Sequence, residues 1–156
     1  MLRLRLRLLS LKGFTIGTLR HPIEQQGFRV RMTSSGDLPA VRIDADAIAR
    51  AVLNLIGNAM KYSGESREID VSVGCDGREA TVRVRDHGIG VPAAERERIF
   101  DEYHRLADTP PEVAGAGLGL TIVRHAVAAH GGRVSVEDAP GGGSVFALHL
   151  PVLPAP

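Results

Sequence analysis

One stretch, residues 44–62, constrains this chain more than any other. It reads Asp-Ala-Asp-Ala-Ile-Ala-Arg-Ala-Val-Leu-Asn-Leu-Ile-Gly-Asn-Ala-Met-Lys-Tyr. Ile48, Val52, Leu55, Ile56 and Ala59 recur at helical spacing and fall on one arc, which is expected to face a core. Asp44 suits the N-cap, because its carboxylate can accept from the free backbone N–H groups of the first turn. Asn54, Asn58, Lys61 and Tyr62 also stand three or four apart and form a second stripe. Two carboxamides, an ammonium and a phenol in line suit a ligand with metal, phosphate and aromatic parts. A solvated helix face is the commoner fate of such residues, so the rest of the chain has to decide.

At 156 residues the chain has the size of one domain. A net charge of +1 gives no reason to expect nucleic acid or an acidic membrane as the main partner. The single cysteine, Cys75, excludes an internal disulfide framework and a cysteine-based zinc cluster. Beside a hairpin turn it reads as an inert small residue. No long uncharged apolar run is present to span a membrane. With 4% aromatic residues, the core has to be aliphatic.

Residues 1–11 alternate Leu and Arg, a strand pattern. An edge strand, a linker remnant and a start-site artefact compete there, and the last two are favoured. The spacing predicts a short strand at 14–16, a helix at 19–26, and strands at 28–33 and 40–43, with a turn at 34–37 between the last two. After the long helix, 63–66 close it. Alternating runs at 68–74 and 79–86, joined across Asp76-Gly77, predict a hairpin. A short helix is expected from Pro92 through Ile99, and a functional loop at 108–117. A further helix is expected at 118–130, with Leu120, Val123, Val127 and Ala128 inward, ended by Gly131-Gly132. Strands at 133–137 and 144–150 flank the turn at Pro140-Gly141-Gly142-Gly143. This order predicts an α+β two-layer sandwich: a mixed sheet of about five strands, covered on one face by about three helices. The expected division is a linker remnant or leader at 1–12, one domain at 13–152 and a tail at 153–156.

Four segments follow the long helix and carry possible chemistry. Asp86-His87-Gly88-Ile89-Gly90 ends a strand; its carboxylate can accept from an exocyclic amine, and its glycines let backbone pass close to a flat ring. Ile99-Phe100-Asp101-Glu102-Tyr103-His104-Arg105 is unremarkable alone. Gly115-Ala116-Gly117-Leu118-Gly119-Leu120 runs into a helix, where free N–H groups and the helix dipole favour an anion. Its spacing fits neither a dinucleotide fingerprint nor a Walker loop. Gly141-Gly142-Gly143-Ser144-Val145-Phe146 is by itself a glycine turn between strands.

In this order, the segments resemble the ATP-binding catalytic domain of sensor histidine kinases, one branch of the Bergerat-fold ATPases. Asn54 to Ser63 is similar to that family's N box, Asp86 to Gly90 to its G1 box, Phe100 to Arg105 to its F box, and Gly115 to Leu120 to its G2 box. Gly141 to Phe146 resembles the last glycine box, with Ser144 where Thr is usual. The resemblance covers roughly residues 13–151.

The resemblance implies roles. Asn58 binds Mg2+ through its carboxamide oxygen, and Asn54 assists at the metal. Lys61 contacts phosphate and Tyr62 packs along the adenine. Asp86 accepts from the adenine amino group, with Gly88 and Gly90 shaping the pocket floor. Arg105 reaches the γ-phosphate. Gly115, Gly117, Leu118 and Gly119 flank the phosphates, Ser144 sits near the adenine, and 101–116 form a mobile ATP lid. Asn54, Asn58, Lys61 and Arg105 are thus the implied catalytic set. Topoisomerase-type members carry a Glu general base at the position of Asn54. An amide cannot take that proton. Asn54 therefore argues for transfer to a nucleophile such as a histidine imidazole, rather than for hydrolysis.

The implied function is transfer of the ATP γ-phosphate to a histidine on a separate dimerisation domain of a two-component sensor, which then feeds a response-regulator receiver domain. No acceptor hairpin is recognisable: His21 precedes Pro22 and reads as structural. His87, His104, His125, His130 and His149 lack metal-ligand spacing. His130 reads as a helix-end residue favoured by the dipole. A free-standing relative, such as an anti-sigma serine kinase or ATP-binding regulatory module, is the alternative, and a non-enzymatic nucleotide sensor a third reading. A cytoplasmic placement is expected, alone or as part of a membrane-bound sensor, without membrane contact by the domain itself.

Overall fold

The computed structural model describes residues 2–5, 23–35, 38, 40–106 and 117–152. The strand expected at 14–16, most of the helix at 19–26, the turn tip at Gly36-Asp37, Gly115 with most of the lid, and the tail lie outside them. Strand β1 is Leu2–Arg5, β2 Arg29–Ser34 and β3 Ala40–Ile43, followed by helix α1, Ala45–Tyr62. Then come β4 (Glu68–Cys75), β5 (Glu79–Arg85), helix α2 (Gly119–Ala128), β6 (Arg133–Asp138) and β7 (Ser144–Pro151).

Five strands form one mixed sheet in the order β2-β4-β5-β7-β6. β2 and β4 run parallel, which requires a crossover between them, and β3 with α1 lies in that interval. The remaining neighbours are antiparallel. Within the Leu/Arg alternation, Leu2–Arg5 form strand β1, which pairs antiparallel to β3.

Alternation decides which face is covered. Ile69, Val71 and Val73 on β4, Ala80, Val82 and Val84 on β5, and Phe146, Leu148 and Leu150 on β7 are all buried. Cross-strand register puts Val71, Val84 and Phe146 in one row and Val73, Val82 and Leu148 in the next. The apolar arc of α1 is buried as its spacing predicts, with Ala49 and Ala51 added. Burying residues such as Leu55 and Ile56 contributes about 1.5–3 kcal/mol each. The layer that results is aliphatic apart from Phe28, Phe100 and Phe146.

Local signals hold at most junctions. Asp44 Oδ1 accepts from the N–H groups of Asp46 and Ala47, at 3.0 and 3.2 Å. In the β4–β5 hairpin, Asp76 Oδ1 accepts from Arg78 and Glu79 N–H, both at 2.9 Å. Those bonds, Glu79 first, hold its carboxyl below the ordinary range.

Two expectations change. The helix from Pro92 to Ile99 is instead two 3-10 turns, Ala93–Glu95 and Arg98–Phe100. Only Ile99 and Phe100 there are buried, so no apolar stripe offsets helix nucleation. On α2, Ala128 is exposed rather than inward, and Thr121 is buried with Val123 and Val127. His130 stands at the helix end as expected and is also a bridge. Its Nδ1 lies 2.6 Å from the Ala126 carbonyl, and its Nε2 accepts from Asp44 N–H at 2.8 Å, tying the end of α2 to the start of α1. Among the described residues no helix is long and apolar enough to cross a membrane.

Candidate nucleotide site

The polar stripe of α1 opens onto a cleft with two connected lobes. At one end Tyr62, Asp86, Ile89, Gly90, Val91, Ile99, Leu106, Leu120, Ser144 and Phe146 enclose a mostly apolar recess. At the other, Asn54, Gly57, Lys61, Gly117, Leu118 and Gly119 form a polar mouth between α1 and the start of α2. Asn58, Tyr62 and Arg105 line both.

Asp86 is the buried carboxylate of the recess, with 4% of its surface exposed. Its Oδ1 accepts from Gly88 N–H at 2.9 Å and from Ser144 N–H at 3.2 Å. Oδ2 is therefore the oxygen left to the recess. Burial pushes this carboxyl above its ordinary range, and the two backbone donors partly offset that.

Close backbone approach explains two glycines here. A Cβ on Gly88 would lie 1.8 Å from the Tyr62 carbonyl oxygen, so the G1-type segment can pack on the end of α1 only as glycine. A Cβ on Gly143, at φ +92, would lie 2.2 Å from the Asp86 carbonyl oxygen.

At the mouth, Asn54 Nδ2 donates to the Arg50 carbonyl at 3.0 Å, which turns Oδ1 the other way. Oδ1 faces the first turn of α2, where a Cβ on Gly119 would lie only 3.2 Å away. A hard oxygen donor is thus fixed in the cleft. Gly117 clamps the base of the intervening loop: its carbonyl accepts from Tyr103 N–H at 3.1 Å. Tyr103 adopts φ 60, a left-handed conformation rare for a non-glycine residue. Thr121 Oγ1 donates to the Phe100 carbonyl at 3.0 Å and anchors the second 3-10 turn on α2. Phe100 meets Phe146 edge-to-face at 6.4 Å.

The fold therefore brings together Asn54, Asn58, Lys61, Tyr62, Asp86, Gly90, Arg105, Gly117, Leu118, Gly119 and Ser144 around one cleft. Gly88 supports it from behind, and Gly115 lies outside the described residues. Sequence reasoning missed the apolar walls, Ile89, Val91, Leu106 and Phe146, and it missed His104. The walls carry a weak signal: Ile89, Val91 and Phe146 lie within or next to glycine-bearing segments, and Leu106 directly follows the segment at 99–105.

A mixed sheet covered by helices, a carboxylate-floored recess, an amide-bearing helix and a glycine-rich helix start thus meet around one cleft. The chain belongs to the family of histidine kinase-, DNA gyrase B- and HSP90-like ATPases, which matches residues 43–154. Its relatives include the signal transduction histidine-protein kinase AfsQ2 of Streptomyces coelicolor, 35% identical over 163 residues, covering 96% of this chain and 30% of that protein. The adaptive-response sensory kinase SasA of Crocosphaera subtropica is 40% identical over 118 residues, covering 74% of this chain and 30% of that one. The chain thus spans under a third of the length of these two relatives.

Among solved structures, the mycobacterial sensor histidine kinase MprB superimposes with a TM-score of 0.78 at 28% identity, over 95% of this chain and 97% of that one. Full-length ShkA in complex with AMPPNP gives 0.79 at 28% identity, over 98% of this chain and 32% of that one. The fold is therefore that of the catalytic ATPase domain of sensor histidine kinases.

Proposed function

We propose that this domain binds Mg-ATP and passes its γ-phosphate to a histidine on a separate dimerisation and phosphoacceptor domain of a two-component sensor kinase. A receiver-domain aspartate then takes the phosphate. The observation that carries this is the single cleft itself. A buried carboxylate held by Gly88 and Ser144 N–H groups closes one end, and Asn54, Asn58 and Lys61 face a glycine-rich helix start at the other. Adenine in the recess donates its amino hydrogen to Asp86 Oδ2 while Tyr62 and the apolar walls cover its faces. The phosphates then extend to Lys61, a point charge, and to the start of α2.

The donor set fits magnesium. Asn54 and Asn58 offer hard carboxamide oxygens one turn apart, and magnesium takes few protein ligands beside phosphates and waters. Among the described residues no group of three His, Cys, Asp or Glu side chains converges, so these amides are the suitable donors. When bound, the ion neutralises phosphate charge as it develops. The Asn54 amide is not basic, so this residue does not deprotonate a water for attack on the γ-phosphate. A neutral imidazole brings its own lone pair: its N–P bond forms as the P–O bond to the β-phosphate breaks, and ADP leaves. We place the domain on the cytoplasmic side, where ATP is supplied.

The test is incubation with γ-labelled ATP and a separate histidine-bearing helical hairpin. The expected product is an acid-labile, base-stable phosphohairpin. Tight ATP binding without transfer, or acid-stable label on serine, would overturn the proposal.

A further inference from the structure

His104 is a residue of the cleft that neither the stripe nor the glycine segments account for. It lines both lobes. Its side chain is only 16% exposed, and its Nε2 lies 2.6 Å from Glu95 Oε2. Glu95 stands on the first 3-10 turn, and its Oε1 lies 3.6 Å from Arg98 Nη1. The backbone is pinned as well: His104 N–H donates to the Asp101 carbonyl at 3.3 Å, next to the clamped Tyr103. An ionised carboxylate only accepts, so Nε2 carries the proton toward Glu95. Nδ1 and the ring face are what remain for the cleft.

We propose that His104, braced by Glu95, is a further ligand-contacting residue, gripping the nucleotide where its sugar meets its phosphates. This rests on the nucleotide reading of the cleft. Six residues line both lobes: Asn58, Tyr62, Ile99, His104, Arg105 and Leu120. A ligand with its base against Asp86 and its phosphates against Lys61 has to pass its sugar and first phosphate between them. Hydroxyls and phosphate oxygens are both partners for an imidazole nitrogen. Glu95 fixes the ring in advance, so less rotamer freedom is lost when the contact forms. Glu95 is thus a positioning residue, acting through His104.

Calorimetry with Mg-AMPPNP and Mg-ADP on wild type, His104→Ala, Glu95→Gln and the double variant tests this. Glu95→Gln keeps size and lies on a partly exposed side chain, so it is the variant least able to disturb the fold. His104→Ala is expected to weaken AMPPNP and ADP alike by about tenfold, the loss of one hydrogen bond to a charged group. Glu95→Gln should cost a smaller factor, and nothing further once His104 is gone. Unchanged affinity in His104→Ala, a loss confined to AMPPNP, or additive losses in the double variant would overturn the inference. Failure of the wild type to bind either nucleotide would instead sink the reading of the cleft on which it rests.

Discussion

Replacing Asp86 with Asn separates what this residue does for the ligand from what it does to the fold. Asn retains an Oδ1 that accepts from Gly88 and Ser144 N–H, so both 2.9 and 3.2 Å bonds can persist. What changes is the atom facing the recess, from an acceptor to an amide donor. An adenine amino group then meets a donor. A hydrogen bond to a charged group contributes about 1.5–3 kcal/mol, so ATP affinity should fall by about 10- to 100-fold. Guanine presents a carbonyl at that position, so GTP should lose little or gain.

Stability should move the other way. Burial holds the folded Asp86 pKa above its unfolded value, the backbone donors opposing it only in part. A proton is therefore held more tightly in the folded state. The contribution of Asp86 to stability is fullest below about pH 3.9 and is lost as pH rises through the raised folded pKa. At pH 7 the ionised carboxylate is a net cost, which Asn removes. Asp86→Asn should be at least as stable as wild type at pH 7, with the advantage shrinking toward pH 4. Urea unfolding across that range, with calorimetry of AMPPNP and GMPPNP, gives both readings. Equal losses for the two nucleotides would refute the base-reading role. A variant least stable at pH 7 would refute the burial argument.

Three further predictions can be checked with the same assays. Asn58→Ala should abolish Mg-dependent nucleotide binding and phosphotransfer while shifting Tm by no more than about 2 °C, because Asn58 is not among the buried apolar residues of α1; retained Mg-ATP affinity in the folded variant would count against the assignment. Gly88→Ala should cost about 2–3 kcal/mol, since its Cβ would sit 1.8 Å from a backbone oxygen. That is a Tm loss of roughly 5–10 °C for a domain of this size, and a melt like the wild type's would show that the approach is not fixed. Burial, aided by Arg133, holds the His149 pKa down, so its stability contribution is present above about pH 6.5 and lost as pH falls below that; His149→Gln should flatten the acid side of a stability–pH curve, and an unchanged slope between pH 5 and 7 would rule this out.

Much of this protein was legible in residue spacing. The period of α1 identified its buried arc, and Asp44 its start, because helical periodicity and capping are decided within a few residues. The alternating runs located the five sheet strands to within two residues for the same reason. The stripe of Asn54, Asn58, Lys61 and Tyr62, with the carboxylate of Asp86 and the glycine segments, singled out residues that the fold gathers around one cleft. The helix expected after Pro92 failed because helix formation is cooperative, and that stretch lacks an apolar face to pack.

Tertiary structure alone decided the rest. The order β2-β4-β5-β7-β6 joins residues far apart in the chain, and periodicity says nothing about which strand is whose neighbour. The need for glycine at 88 and 143 comes from the Tyr62 and Asp86 carbonyls, brought close only by packing. The His104–Glu95 pair forms because two 3-10 turns, rather than a helix, bring residues nine apart into contact. Local sequence sets which groups a segment offers, and long-range packing sets which of them meet.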